Sequence, residues 1–248
     1  MRGNLRGRTV LVTRAEEDFE AWARTIEEHG ARAVSYPCIR CEPIRSETVA
    51  SRLREALEGA AWVAVTSRRG AQVTGELLGG ALPPGVRVAA VGGATAEAAR
   101  ENLGRCDLVA REGTGAALAR DLARELKDGD PVRPPRVVAA SAERAHRHLE
   151  QVLGPQGVEV IRVAVYRTLP ARPREPREDL SSLGLDAILL ASPSAARGLV
   201  NLAIVPAEVP VYSIGPTTTH AARSLGLDVA AEAGRPEIGS LLEVIACP

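Results

Sequence analysis

This chain contains the same supersecondary unit twice, and that repetition limits what it can fold into. RTVLVTR (8–14) reads as a buried strand, and 16–29 carries Phe19, Trp22, Ala23 and Ile26 at helical spacing. Gly30 follows as a helix-stopping residue, and ARAVSYP (31–37) as a second strand. Residues 136–166 repeat the pattern. RVVAAS is a strand, AERAHRHLEQVLGPQG is predicted as a helix with a glycine stop, and VEVIRVAVY is a strand. Val10 and Val137 lie 127 positions apart, and so do Gly30 and Gly157. Two further segments pair off. AAWVAVTSRRGA (60–71) matches LDAILLASPSAA (185–196), with Ser67 and Ser192 125 apart. VRVAAVGGATAEAA (86–99) matches VPVYSIGPTTTHAA (209–222), with Gly92 and Gly215 123 apart. A drift of a few residues is what changes in loop length produce. Strands alternating with helices predict an α/β chain of two similar units, each a doubly wound parallel sheet.

Composition narrows the classes of function. Hydrophobic residues make up 45% of the 248 but aromatics only 2%, so Val, Leu, Ile and Ala must build the cores. Lys plus Arg equals Asp plus Glu at 31 each, which argues against a general nucleic-acid binder. No run of eighteen apolar residues exists to span a membrane. The basic start MRGNLRGR lacks an apolar segment behind it, so a cytoplasmic location is expected. Cys38 and Cys41 form a C-x-x-C between prolines, in a stretch that reads as extended, where i and i+3 point to opposite faces. Cys106 and Cys247 are isolated, so neither a disulfide framework nor a zinc site is expected. His146 and His148 are two apart and share no helical face, and no carboxylate cluster accompanies them. No nucleophile-elbow, P-loop or dinucleotide fingerprint occurs.

What stands out is four turns: TSRRG, VGGAT, ASPSA and IGPTTT. In doubly wound sheets ligands bind outside the carboxyl ends of the strands, where these turns fall. A small-residue turn feeding a helix exposes backbone N–H groups and the positive end of the helix dipole, which suits anions. Ser67, Thr95 and Ser192 read either as helix N-caps or as ligand contacts. Arg14, Arg68 and Arg69 read either as solvated surface or as charge-assisted contacts. Two divisions of the chain are open. One breaks it at PVRPPR (131–136). The other crosses twice, near 36–43 and 166–176.

In order and spacing, VLVTR, VTS (65–67), VGGATAEA (91–98), VYRT (165–168), SPSAA (192–196) and IGPTTTHAARSLG (214–226) resemble the uroporphyrinogen-III synthase family. The resemblance covers residues 8–245. It departs at Ala15, Arg68, Gly93 and Ser141-Ala142, where that family usually has other residues. It implies two domains, 1–36 with 171–248 and 42–163, joined by linkers 37–41 and 164–170, with the active site in the cleft between them. It implies hydroxymethylbilane, a linear tetrapyrrole with eight carboxylates, as substrate. The product would be uroporphyrinogen III, formed with inversion of the last pyrrole ring and loss of water. It implies no metal or organic cofactor, a monomer, and no nucleic-acid or membrane partner; the enzyme that makes the substrate is a candidate partner. Tyr166 matches the family's cleft tyrosine and is expected to protonate the departing hydroxyl. Thr218 matches a threonine expected to donate a hydrogen bond. Arg14, Ser67, Arg68, Gly92, Thr95, Ser192, Ser194, Gly215 and Thr217 are expected to hold the substrate. The alternative is a two-domain tetrapyrrole or small-anion sensor without catalysis.

Overall fold

A computed structural model describes residues 5–127 and 134–246. Residues 1–4, 128–133 and 247–248 lie outside the described residues, and with them the first half of the proline-rich 131–136 stretch and Cys247. The chain runs β1 (Thr9–Val12), α1 (Glu16–Glu28), β2 (Arg32–Ser35), β3 (Ile39–Pro43), α2 (Glu47–Leu57), β4 (Trp62–Val65), α3 (Arg68–Leu78), β5 (Arg87–Ala90), α4 (Gly93–Leu103) and β6 (Leu108–Val109). It continues with α5 (Gly115–Glu125), β7 (Arg136–Ala142), α6 (His148–Leu153), β8 (Glu159–Pro170), β9 (Glu178–Asp179), β10 (Ala187–Leu190), α7 (Pro193–Leu202) and β11 (Ala203–Ile204). β12 (Val211–Ser213), α8 (Pro216–Ser224), β13 (Val229–Glu232) and α9 (Ile238–Ala246) complete it.

The chain divides into two compact units. One takes the residues up to Cys41 and from Thr168 onward, and the other is Glu42–Arg167. In the first unit five parallel strands lie in the order β13-β12-β10-β1-β2. In the second, β6-β5-β4-β7-β8 are parallel, with β3 beside β8. Pairing β1 with β7, β2 with β8, β10 with β4, β12 with β5 and β13 with β6 superimposes one order on the other. The repeated segments of the sequence therefore occupy equivalent places in the two sheets, although their order along the chain is permuted.

Parallel strands covered on both faces need apolar side chains on both. In β4, Val63 and Val65 face α2, α3 and α4, while Trp62 and Ala64 face α5 and α6. In the other unit Leu11, Ile188 and Leu190 pack on α7 and α8, and Val10, Val12 and Leu189 on α1 and α9. With few aromatics, these layers are mostly aliphatic. Trp62 is fully buried, and the Arg87 guanidinium lies 4.0 Å above its ring. The two helix-stopping glycines adopt the left-handed conformation, with φ of 84° at Gly30 and 78° at Gly157.

One predicted helix is shorter than its pattern. Residues 142–157 were expected to be helical, yet β7 continues to Ala142 and α6 begins only at His148. Arg162, on β8, explains this. It donates to the carbonyls of Ala145 at 2.7 Å and His146 at 2.9 Å, replacing the bonds that another helical turn would supply.

The C-x-x-C lies in extended chain: Cys38 precedes β3, and Cys41 is inside it. Burial pushes the Cys38 thiol well up, and the Cys106 thiol is raised mainly by burial. Neither is a ready thiolate at neutral pH. The Cys38 carbonyl instead accepts from the Ala171 N–H at 2.8 Å, and α7 presses on it through Gly198. A Cβ at Gly198 would fall 1.6 Å from the Cys38 oxygen and 2.6 Å from its carbon. Both are backbone atoms, so no side-chain rotation relieves the clash. Gly198→Ala is expected to lose stability at or beyond the upper end of the overpacking range, about 1–3 kcal/mol. Urea unfolding followed by circular dichroism measures it, and an unshifted midpoint would show that the backbone yields.

Candidate active site

In the unit Glu42–Arg167, the turns after β4, β5 and β7 emerge at the carboxyl edge of the sheet, and Tyr166 lies at the same edge on β8. The pairing of β7 with β8 shifts register there. Ser141 is opposite Ala164, but Ala142 is opposite Tyr166, leaving Val165 as an extra residue. Such a bulge re-aims the side chain that follows. Tyr166 is half-buried against the aliphatic layer, and its hydroxyl lies 3.0 Å from Ser67 Oγ.

Ser67 is the N-cap of α3 and accepts from the Gly70 N–H at 2.9 Å. A hydroxyl has one proton and two lone pairs. With one lone pair taken by Gly70, Ser67 can still either donate its proton to the phenol oxygen or accept the phenol's. Gly70 keeps the space open, since a Cβ there would lie 3.1 Å from Ser67 Oγ, 3.3 Å from the Ala140 carbonyl and 3.9 Å from the Tyr166 ring.

A cavity of about 380 Å³ opens at this edge, lined by Tyr166, Thr66, Val91, Ser141, His146 and His148 among others. It lies wholly within the one unit, where α5 and α6 begin. Gly92 caps α4 and backs onto Gly113, whose turn also lines the cavity. Thr95 is buried in the first turn of α4, and Arg68 is exposed at the first position of α3.

The other unit carries the remaining candidates. Ser192 caps α7, accepting from the Ala195 N–H at 3.1 Å, and Ser194 is half-buried in its first turn. Arg14 pairs with Asp18 at 2.8 Å and lies over the Trp22 ring at 5.1 Å, so its charge is partly committed. Gly215 caps α8. Thr217 is exposed, whereas Thr218 is only 2% exposed and its N–H donates to the Gly215 carbonyl at 3.0 Å. Ser67 and Tyr166 are thus joined directly, and the α8 candidates cluster on their own turn.

Several contributors escaped the sequence reading. Thr219 donates to the Glu232 carboxylate and lies 2.5 Å from Ser213 Oγ, a chain of hydroxyls that fixes the turn between β12 and α8. Its signal was weak, because polar residues at a helix start read as caps. Gly70 and the two cavity histidines were missed too. The histidines were placed together on one helix, but α6 begins only at His148 and leaves His146 on the turn before it, and their rings lie 5.4 Å apart.

Comparison with known proteins agrees with this architecture. The family model described as uroporphyrinogen-III synthase HemD matches residues 20–243. The chain is 29% identical to the chloroplastic uroporphyrinogen-III synthase of Oryza sativa subsp. japonica over 226 residues, covering 88% of this chain and 73% of that protein. It is 25% identical to the porphyrin biosynthesis protein HemD of Ruminiclostridium josui over 236 residues, covering 92% of this chain but 46% of that protein. The chain therefore spans about half the length of that second relative. Uroporphyrinogen-III synthetase from Helicobacter pylori 26695 has the same fold, with a TM-score of 0.53 at 13% identity over 96% of this chain and 97% of that one. With a family model matched over most of its length, the chain belongs to the uroporphyrinogen-III synthase family.

Proposed function

We propose that the chain closes hydroxymethylbilane into uroporphyrinogen III and that Tyr166 gives the proton to the departing hydroxyl. Hydroxide is a poor leaving group, so its loss needs a donor. The electron-rich pyrrole supplies the push, and one well-placed acid suffices. A phenol, whose ordinary pKa is about 10, remains protonated at neutral pH. The observation that carries the assignment is the bulged β8 edge. There Tyr166 lines the cavity with its hydroxyl 3.0 Å from Ser67 Oγ, a partner able to direct the phenolic proton outward.

The two compact units correspond, in this reading, to the family's two domains, with 37–41 and 164–170 as the connecting strands. The harder task is steering. A linear tetrapyrrole closes without inversion unless its rings are held in one arrangement, so positioning matters more than acid strength. Turn amides and small hydroxyls suit the many carboxylates of such a substrate. Arg68, Gly92 and Thr95 serve on one unit, and Arg14, Ser192, Ser194, Gly215 and Thr217 on the other. Thr95 and Thr218 contribute through the fold of their turns, because both side chains are buried. The family's chemistry requires no metal or organic cofactor from this chain.

The test is an isomer assay with freshly made hydroxymethylbilane, separating oxidised uroporphyrin III from I. Isomer III above the spontaneous control is expected; isomer I alone, from folded protein that binds the ligand, would mean a binder on this scaffold. Tyr166→Phe should lower turnover about 10²-fold, the lower range for a general acid, with an unchanged urea midpoint. Unchanged turnover would remove the acid role. Ser67→Ala should cost about 1 kcal/mol as a lost cap and lower turnover less than Tyr166→Phe. Ser67→Thr, which keeps the hydroxyl, should restore most of both.

A further inference from the structure

His146 and His148 bound the same cavity as Tyr166, and the reading above gives them no role. His146 is on the turn between β7 and α6, and His148 opens α6. Their ring centroids are 5.4 Å apart with planes tilted by 32°. The turn that carries His146 is held in place from outside. Here Arg162 supplies it, by bonding the Ala145 and His146 carbonyls and pairing with the Glu150 carboxylate at 2.7 and 2.9 Å. Gly115, the first residue of α5, leaves room on the other side. A Cβ there would lie 3.2 Å from His148 Cδ2.

The charges around the pair matter most. Among the described lining residues the ionisable ones are His146, His148, Arg162 and Tyr166, and none is an aspartate or glutamate. Arg162 is neutralised by Glu150 from α6. Other carboxylates close by have arginines of their own: Glu143, on the histidine turn, pairs with Arg167 at 3.1 Å, and Glu112, next to the lining residue Gly113, with Arg120 at 2.6 Å. Arg144 and Arg147 are exposed on the histidine turn itself, and Arg111 is exposed before α5. Among the described residues that line the cavity, the imidazoles therefore meet no anion. Two adjacent imidazolium ions repel, and an anion between them removes the repulsion and favours both protons. Among the described residues no third ligand joins the two histidines, and two nitrogens are too few for a zinc site. A carboxylate is the matching ligand.

We propose that His146 and His148 together hold one carboxylate of the substrate, taking up protons as they bind it, in the cavity that contains the acid Tyr166. This rests on the function proposed above and adds a recognition element to it. The sign of the pH dependence follows. Substrate carboxylates stay ionised above about pH 5, whereas an ordinary imidazole loses its proton near pH 6.5. Binding is then tight below that range and weakens as pH rises through it. The effect appears in KM, because the contact is present in the ground state as well as in the transition state.

The decisive comparison is of wild type with the double variant His146→Gln/His148→Gln, measured from about pH 6 to about pH 8. Wild-type KM for hydroxymethylbilane should rise about tenfold across that interval. The double variant should already have the high KM at the acid end and change little, with the loss in KM rather than kcat. A double variant that tracks the wild-type curve would overturn the proposal. If wild type forms no isomer III, the functional reading fails, and a second measurement still decides the histidines. Oxidised uroporphyrin III, a stable octacarboxylate, is titrated against imidazole-labelled protein and the Cε1–H signals are followed with pH. Its binding should raise the titration midpoints of His146 and His148 by about half a unit or more and leave His29 and His220 in place. Midpoints that do not move up to millimolar uroporphyrin III would rule out carboxylate recognition by the pair.

Discussion

Everything in this molecule follows from the demand of parallel strands to be buried on both faces. Neighbouring parallel strands need crossover helices, and those helices cover the two faces of each sheet. The chain must then turn from strand to helix at one edge of the sheet, again and again. Those turns cannot be apolar, because they carry the unpartnered N–H groups of the helix starts. A fold forced by burial thus yields a row of polar turns along one edge. Ser67, Gly92, Ser192 and Gly215 are helix caps first. Any contact they make with a ligand is added to a structural duty.

Tyr166 is a different kind of residue. Its place depends on a local break in the pattern, the extra residue Val165 opposite β7. Without the bulge, strict alternation would fix which face the side chain takes. With it, the phenol reaches the cap of α3 while remaining at the wall of the cavity. The same two strands also support the histidine turn, since Arg162, four residues before Tyr166, ties that turn down. One strand therefore carries the proposed acid and the anchor of the turn beside it.

The strands and most helices were legible in the sequence, because burial on both faces writes itself as aliphatic runs such as WVAV and AILL. The duplication was legible for the same reason, as equal spacings between equivalent residues. Ser67 and Tyr166 were each singled out, but their hydrogen bond was not readable, because the bulge that aims Tyr166 leaves no mark in local sequence. The start of α6 was misplaced since AERAHRHLEQVL has helical composition throughout. Long-range bonds hold that stretch out of the helix: Glu143 N–H donates to the Tyr166 carbonyl, and Arg162 takes the Ala145 and His146 carbonyls. The misplaced start also concealed the histidine pair. Spacing of two positions argues against a shared face on a helix, but says nothing of a turn.

The permuted duplication has a further consequence for how the chain is assembled. Every parallel ladder of the second unit closes within Glu42–Arg167. The first unit instead joins β1 to β10, so that Thr9 N–H meets the Asp186 carboxylate across 177 positions. During synthesis, β1 and β2 leave the ribosome with one side of their sheet missing, and they wait through the whole intervening unit for it. The second unit has all its strands before β10 exists. It is therefore the piece whose strands are all present first, whereas the first unit can complete its sheet only when β10 has been made.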